Sequence, residues 1–539
     1  APAIGLNEVG ILNDCFTFQP RGIHLHLATK KRSAMRVCAL VCWLLVQCCT
    51  ASQPVTVGDN TVMLQHESRR HERHTGSDHY WPQPRGGLDH YSRTSHGVPR
   101  NILKNGNLSD HLAWTWTHEI GLDALVWGTL IDKDKSIYII ALQGIFKYTP
   151  DGELLWQRDD IYGSQMGSIS GSSLYTVNDA IEMLSLDLET GRTLWSRKVG
   201  ESRGIQGDMV TVNNGVVITG VDTPELPEDW HEEAGVWSKR VVGINASNGD
   251  ELWSYQPDAG LWNIMGVFPD DDTVIFMDSG GGLYRLGLHN GSQLWKRAPD
   301  LDTTTDGGAT LGPDGSVYTC SNEPGYLNNI TEEPKGRVRK FHQTTGELLW
   351  EFETAHGCMN FPAVSADGKT LVVSDGKIAI VPMIYYETEG MSAEAIDKLY
   401  RIQEEQLKAH NQNAYWGLED VNGSIIGFDT QKGEPKWQHE VEPWYGTSFI
   451  RDEERAYGKV TGKSHSLFCG PPHWGGPTID DDQNVYIGRS DGYLYVYNMD
   501  DEAEVTTFKT NDGMMMAGVA FAPGLMVVPT CSYVYVFRF

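Results

Sequence analysis

The sequence predicts an all-β protein: an eight-bladed β-propeller of four-stranded antiparallel blades, with a strand from the N-terminal side closing the last blade. Three observations lead there. A Gly-x-x-x-Trp pattern recurs six times, ending at Trp156, Trp195, Trp253, Trp295, Trp350 and Trp437. Each copy follows alternating segments rich in Val, Ile, Tyr and Phe, such as GIFKY (144–148) and GLYRL (282–286). Asp- and Gly-rich turns, such as PDDD (269–272) and GPDG (312–315), fall at matching places upstream. The tryptophans are 39, 58, 42, 55 and 87 residues apart, a period near the roughly 40 residues of one blade, lengthened by insertions.

Each unit reads as four strands. Alternation of β-branched and aromatic residues gives the strands, and the Asp-Gly clusters give hairpin turns. The glycine sits in the turn between the third and fourth strands, where a positive φ suits it. The indole, which buries on the order of 150–250 Å², packs against the neighbouring blade. Seven blades are expected over 124–160, 166–200, 207–257, 264–300, 307–355, 360–441 and 473–510. The eighth has three strands near 517–521, 524–528 and 532–538 and takes its fourth from LAWTW (112–116). Closing the ring this way removes exposed sheet edges.

Two insertions depart from the plain unit. Residues 386–420 interrupt the sixth blade. Within them, 392–410 read as an amphipathic helix with Ser392 as N-cap and Ile396, Leu399, Tyr400 and Leu407 on one face. Residues 442–472 form a long loop. Long insertions carry function often enough to mark this side as the surface for a partner.

The region before the repeats is organised differently. Arg36 and the apolar run Val37–Val46, followed by Thr50, Ala51 and Ser52, have the layout of a signal peptide. That run is too short for a membrane span of ~20 residues. Residues 1–51 are therefore expected to be upstream leader plus signal peptide, 52–78 a polar disordered spacer, and 79–539 the propeller. The expected route is secretory, to an extracellular or lumenal site, with a plastid route through the signal peptide as the alternative. Sequons at Asn107, Asn245, Asn290, Asn329 and Asn422 add weak support.

The chain of 539 residues has 71 acidic and 43 basic side chains and a formal charge of -28. That balance argues against nucleic acid, which needs clustered Lys and Arg. No segment after the leader reaches the length of a membrane span, and a monomer is expected. Of nine cysteines, Cys320, Cys358, Cys469 and Cys531 lie after the leader, with no CxxC spacing for zinc. Cys358 and Cys469 precede adjacent blades at equivalent positions, which leaves a disulfide between them or two buried thiols.

The repeat resembles the quinoprotein family, eight-bladed propellers with the tryptophan-docking motif Asp-x-x-x-Gly-x-x-x-Trp. Asp187, Gly191 and Trp195 match it in full, as do Asp429, Gly433 and Trp437, while Asn245 stands for Asp before Gly249 and Trp253. The resemblance covers roughly 81–539. It implies that true dehydrogenases of the family hold pyrroloquinoline quinone and Ca²⁺ over the propeller axis, and that other members are scaffolds without a cofactor. Many of the dehydrogenases have a vicinal Cys pair near the quinone; here the only such pair, Cys48–Cys49, lies in the leader.

Loops joining successive blades converge at one mouth of the channel. They carry Gln206, Trp262, Asn263, Asp306, His356, Asn360, His473, Trp474 and Met514 to Met516. A flat ligand could stack on Trp262 or Trp474, with Asp306 or a histidine as base; the bland alternative is that these side chains fill the funnel and bond to one another. The acidic turns complete no calcium loop, because Asp132 and Asp134 lack the following Gly. HESRRH (66–71) is one residue too long for HExxH. No metal site is expected and no catalytic residue is assigned. The reading is a secreted, non-catalytic propeller without a cofactor that binds a protein or glycan partner. The alternative is a dehydrogenase of alcohols or sugars using pyrroloquinoline quinone with calcium.

Overall fold

A computed structural model describes residues 78–539 apart from 88–91, 106, 119–123, 163–165, 202–208, 223–237, 300–302, 306–307, 324–334, 359, 377–391, 409–418, 447–448, 462–468, 470–473 and 515–517. The signal peptide and nearly all of the spacer therefore lie outside the described residues.

The strands form eight antiparallel sheets arranged as a β-propeller. The first blade is built from Val126–Ile131, Ile137–Ala141, Gly144–Tyr148 and Leu154–Arg158. Its inner three strands are almost wholly apolar and buried, while the outermost alternates toward solvent, the pattern of sheets packed face to face. In the eighth sheet, Leu112–Thr117 pairs antiparallel with Tyr533–Arg538, Thr115 opposite Tyr535. The seventh holds an addition that the repeat does not foretell: Arg93–Thr94 joins its inner edge, parallel to Ile479 and Asp480.

The glycines explain how blades lock. Gly191, Gly249, Gly291, Gly346 and Gly433 all have φ between 64° and 80°. A Cβ on any of them would also strike an indole of the preceding blade: Trp156 at 2.8 Å from Gly191, Trp195 at 2.6 Å from Gly249, Trp350 at 2.6 Å from Gly433. Glycine is needed twice over, for the turn and for the approach of the ring. The strand register shifts just before each tryptophan, for example between Thr193 and Trp195, and such a bulge re-aims the side chain. The indole nitrogens then donate into the next blade: Trp156 to Leu188 O at 3.0 Å, Trp195 to Ala246 O at 3.0 Å, Trp253 to Leu288 O at 2.7 Å. Trp295 and Trp350 likewise reach Gln343 O at 3.1 Å and Thr430 O at 3.0 Å. Trp437 instead packs its ring 4.7 Å from Tyr497. Trp114 acts as one more such residue, donating to Pro150 O at 3.0 Å. The seventh blade has Glu502 at the glycine position, with φ 47°, and Thr506 where the indole would be.

A buried cation strengthens three of these joints, and sequence reasoning missed it. Lys147 Nζ donates to the same Leu188 oxygen at 2.8 Å, Arg285 Nη1 to Gln343 O at 3.1 Å, and Lys340 Nζ to Thr430 O at 2.8 Å. Each is neutralised within its own blade, by Asp132, Asp270 and Asp314 respectively. In the first and fourth blades the sequence signal is one basic residue in an otherwise apolar third strand, whereas Lys340 lies in a strand with several basic residues, KGRVRKFH.

Gly433→Ala is therefore expected to cost about 2–4 kcal/mol, strain in the left-handed region plus displacement of the indole. Gly215, φ 77° with nothing within 4 Å of its would-be Cβ, is the control. Its alanine variant should cost only about 1–2 kcal/mol in urea unfolding.

The insertions are helical in part. The sixth blade's strands run longer than expected, Thr370–Gly376, Glu419–Asp429 and Pro435–Gly446, so the excursion between them is 377–418 rather than 386–420. The helix Ala393–Lys408 starts where Ser392 caps it, Oγ accepting from Ala395 N at 3.3 Å. A second, unforeseen helix, Asp452–Val460, packs beside it, with Tyr400 stacked 4.2 Å from Tyr457. Arg455 on that helix is fully buried between Asp452 and Asp512 and also donates to Ser532 Oγ at 3.0 Å.

The cysteine expectation is corrected. The disulfides are Cys320–Cys358 and Cys469–Cys531, with Cα atoms 5.6 and 6.1 Å apart, not Cys358–Cys469. Cys358 and Cys320 share a core with Tyr318, Val338 and Val373. Cys469 sits in a different core, with Leu125, Phe449 and Cys531. Equivalent positions before adjacent blades point into different inter-blade seams, so the two never meet.

Candidate functional site at the channel mouth

Five of the expected mouth residues lie in the described structure: Trp262, Asn263, His356, Asn360 and Trp474. Gln206, Asp306 and His473 lie outside the described residues, as do Met515 and Met516; Met514 is buried in the core. The five come from three connections. Trp262 and Asn263 follow Leu261, which bridges Ser238 between the third and fourth blades. Asn263 is buried with φ 50°. His356 and Asn360 lead into the sixth blade, and Trp474 leads toward the seventh.

The last three belong to one network. Asn360 Nδ2 donates to Trp474 O, and its Oδ1 accepts from Phe361 N at 2.7 Å. Trp474 Nε1 donates to Asp375 O at 3.0 Å. The Asp375 carboxylate accepts from His356 N at 3.3 Å and from Ser424 N at 3.1 Å and Oγ at 2.5 Å. Asp375 thus orders both connections, and no local motif marks it in the sequence. Trp474 is only 2% exposed. Arg489 lies 5.3 Å over its ring, and Tyr495 sits 5.8 Å away. An aromatic platform open to a flat ligand is not what this residue offers, because the Arg489 guanidinium covers it, which its position in a loop did not reveal.

Burial pushes the Asp375 carboxyl above its usual range, despite the Ser424 hydrogen bond and the His356 charge pulling it down. A raised acid binds its proton more tightly folded than unfolded. Its contribution is full below the unfolded value of 3.8 and is lost as pH rises through the folded one. Asp375→Asn is therefore expected to gain on the wild type as pH is raised from about 4, read as a growing difference in Tm between the two proteins. A difference flat with pH would contradict this.

Among the described residues no cluster of three His, Cys, Asp or Glu could hold a metal ion, and no helix is long and apolar enough to cross a membrane. The model of the outer membrane protein assembly factor BamB, a PQQ-repeat family, matches residues 143–321, which span the repeat copies from Trp156 to Trp295. That match covers about a third of the chain, and together with the eight sheets it supports a propeller of PQQ-type repeats. The chain is a PQQ-repeat β-propeller. No curated protein sequence matches it. Solved structures do resemble it. BamB from Moraxella catarrhalis is 13% identical, with 79% of this chain and 99% of that one covered and a TM-score of 0.50. Quinohemoprotein alcohol dehydrogenase from Comamonas testosteroni is 12% identical, covering 88% and 82%, TM-score 0.55. A europium-containing methanol dehydrogenase is 12% identical, covering 88% and 100%, TM-score 0.54. At such identities the likeness is one of fold, and it is shared by a protein titled an assembly factor and by others titled dehydrogenases, so function rests on the site of this propeller itself.

Proposed function

We propose that this propeller is a secreted or lumenal binding and scaffold protein, without catalysis or cofactor, that carries a protein or glycan partner on the face bearing its insertions. The observation that supports it most is the mouth network. Asn360, Trp474 and Asp375 spend their polar atoms on one another and on main chain, the His356 main-chain N–H donates to Asp375, and Arg489 covers the indole. Groups so committed fit poorly with holding a flat quinone or moving a substrate proton. The helix pair Ala393–Lys408 and Asp452–Val460 adds surface beyond the repeat, the place where such a partner would dock. The signal peptide over 1–51 and the spacer over 52–78 belong to the same proposal, as does a monomeric state.

The test is direct. Purified protein is mixed with pyrroloquinoline quinone and Ca²⁺, quinone binding is measured, and dye reduction is followed with alcohols and with sugars. No stoichiometric binding and no reduction is the expected result. Turnover would overturn the proposal in favour of a quinone-dependent dehydrogenase.

A further inference from the structure

The segment before the first blade runs through the axial channel. His79 Nε2 bonds Gly171 O at 2.8 Å, at a turn of the second blade, and Trp81 bridges Ile131 of the first. Gln83 Nε2 then donates to Val212 O of the third blade at 2.6 Å. Two residues on, Arg85 Nη2 donates to Pro362 O and Pro477 O, each at 3.2 Å. Those carbonyls immediately precede the innermost strands of the sixth and seventh blades. In a ring of eight, the second and third blades stand opposite the sixth and seventh, so Arg85 stands on the axis. The chain then turns back and pairs along the seventh blade at Arg93 and Thr94.

Arg85 is 1% exposed. Its Nε donates to Ser92 Oγ at 2.5 Å, and its guanidinium lies 4.8 Å over the Phe361 ring. Its Nη1 has no hydrogen-bond partner among the described residues. Its other partners are neutral oxygens, and burial with no offsetting charge lowers its pKa to about 9, so it is a cation at neutral pH. An enclosed charge without a counter-charge is strongly disfavoured. A protein with 71 acidic side chains has placed none of the described ones against it. Trp81, Gln83, Ser92 and Phe361 around it are all buried as well, so the site is enclosed.

We propose that a small inorganic anion of halide size binds on the propeller axis against Nη1 of Arg85. It supplies the missing counter-charge and fastens the crossing segment to the blades on both sides. The full chain is tested by following Tm in sodium chloride, sodium bromide and sodium gluconate at constant ionic strength. A saturable rise of about 2 °C in the two halides but not in gluconate is expected, and Arg85→Met should lose it. Equal Tm in all three salts, or an equal halide rise in Arg85→Met, overturns the proposal. A rise with sulfate or phosphate alone overturns the halide assignment. Because that variant could fail to fold, crystals of the wild type grown in bromide provide a second reading. An anomalous peak in contact with Nη1 is expected, and its absence overturns the site.

Discussion

Arg455→Met is expected to destabilise the protein by about 3–5 kcal/mol. The reason is the company Arg455 keeps. Its side chain is 0% exposed, as are those of Asp452 and Asp512 on either side. Burial alone would pull its pKa down, but Asp512 and Asp452 outweigh that and hold it above the ordinary arginine value. Asp452 also accepts from Cys469 N at 3.0 Å, and Asp512 from Gly513 N at 2.9 Å. The arginine thus joins the helix Asp452–Val460, the loop between the seventh and eighth blades, and the Cys469–Cys531 bridge. Methionine would fill the space but leave two carboxylates buried without a cation. Guanidinium unfolding measures the loss. The triple variant Arg455→Met, Asp452→Asn, Asp512→Asn should recover most of it, because neutral partners carry no desolvation debt. Failure to recover would mean that packing, not charge, sets the cost.

Trp253→Ala should cost a similar amount, about 3–5 kcal/mol. Trp253 is the most buried of the six repeat tryptophans that donate or stack between blades, at 7% exposure. Its ring lies against Gly291 of the next blade and Gly243 of its own, and its Nε1 is bonded to Leu288 O at 2.7 Å. Trp253→Phe separates the two contributions. It keeps most of the ring and leaves Leu288 O without that donor, for about 1–2 kcal/mol. Leu252, one residue earlier and 43% exposed, is the internal control; its alanine variant should change stability by about 0.5 kcal/mol or less. Urea midpoints for the three variants check the ordering, and a Leu252 effect as large as that of Trp253 would refute the joint as described.

What the sequence revealed and concealed follows from range. The blade repeat was readable because Gly191 and Trp195 and their counterparts recur with a fixed offset, although the contacts they serve cross to neighbouring blades. The helix at 393–408 was readable because its cap and apolar face lie within a few residues of each other. Lys147, Arg285 and Lys340 were overlooked because their acceptors belong to the following blade, at separations of 41, 58 and 90 residues. The cysteine pairing failed for a related reason: equivalence along the chain says nothing about which seam a side chain enters. At the mouth, Trp474 read as a stacking surface, yet Arg489, just past the strand Asn484–Gly488 and bridged back to Trp474, decides what covers it. Asp375 carried no motif at all, being one aspartate at the end of one strand.

Arg85 bonds carbonyls 277 and 392 residues further along the chain. On a ribosome, the stretch that will occupy the middle of the ring is made before any blade, and its last two anchors, at Pro362 and Pro477, follow only in the final third or so of the chain. Contacts of that range are slow to form. The blades therefore assemble around a thread that is already present but not yet anchored on its far side, a period in which a chaperone would have the most to hold.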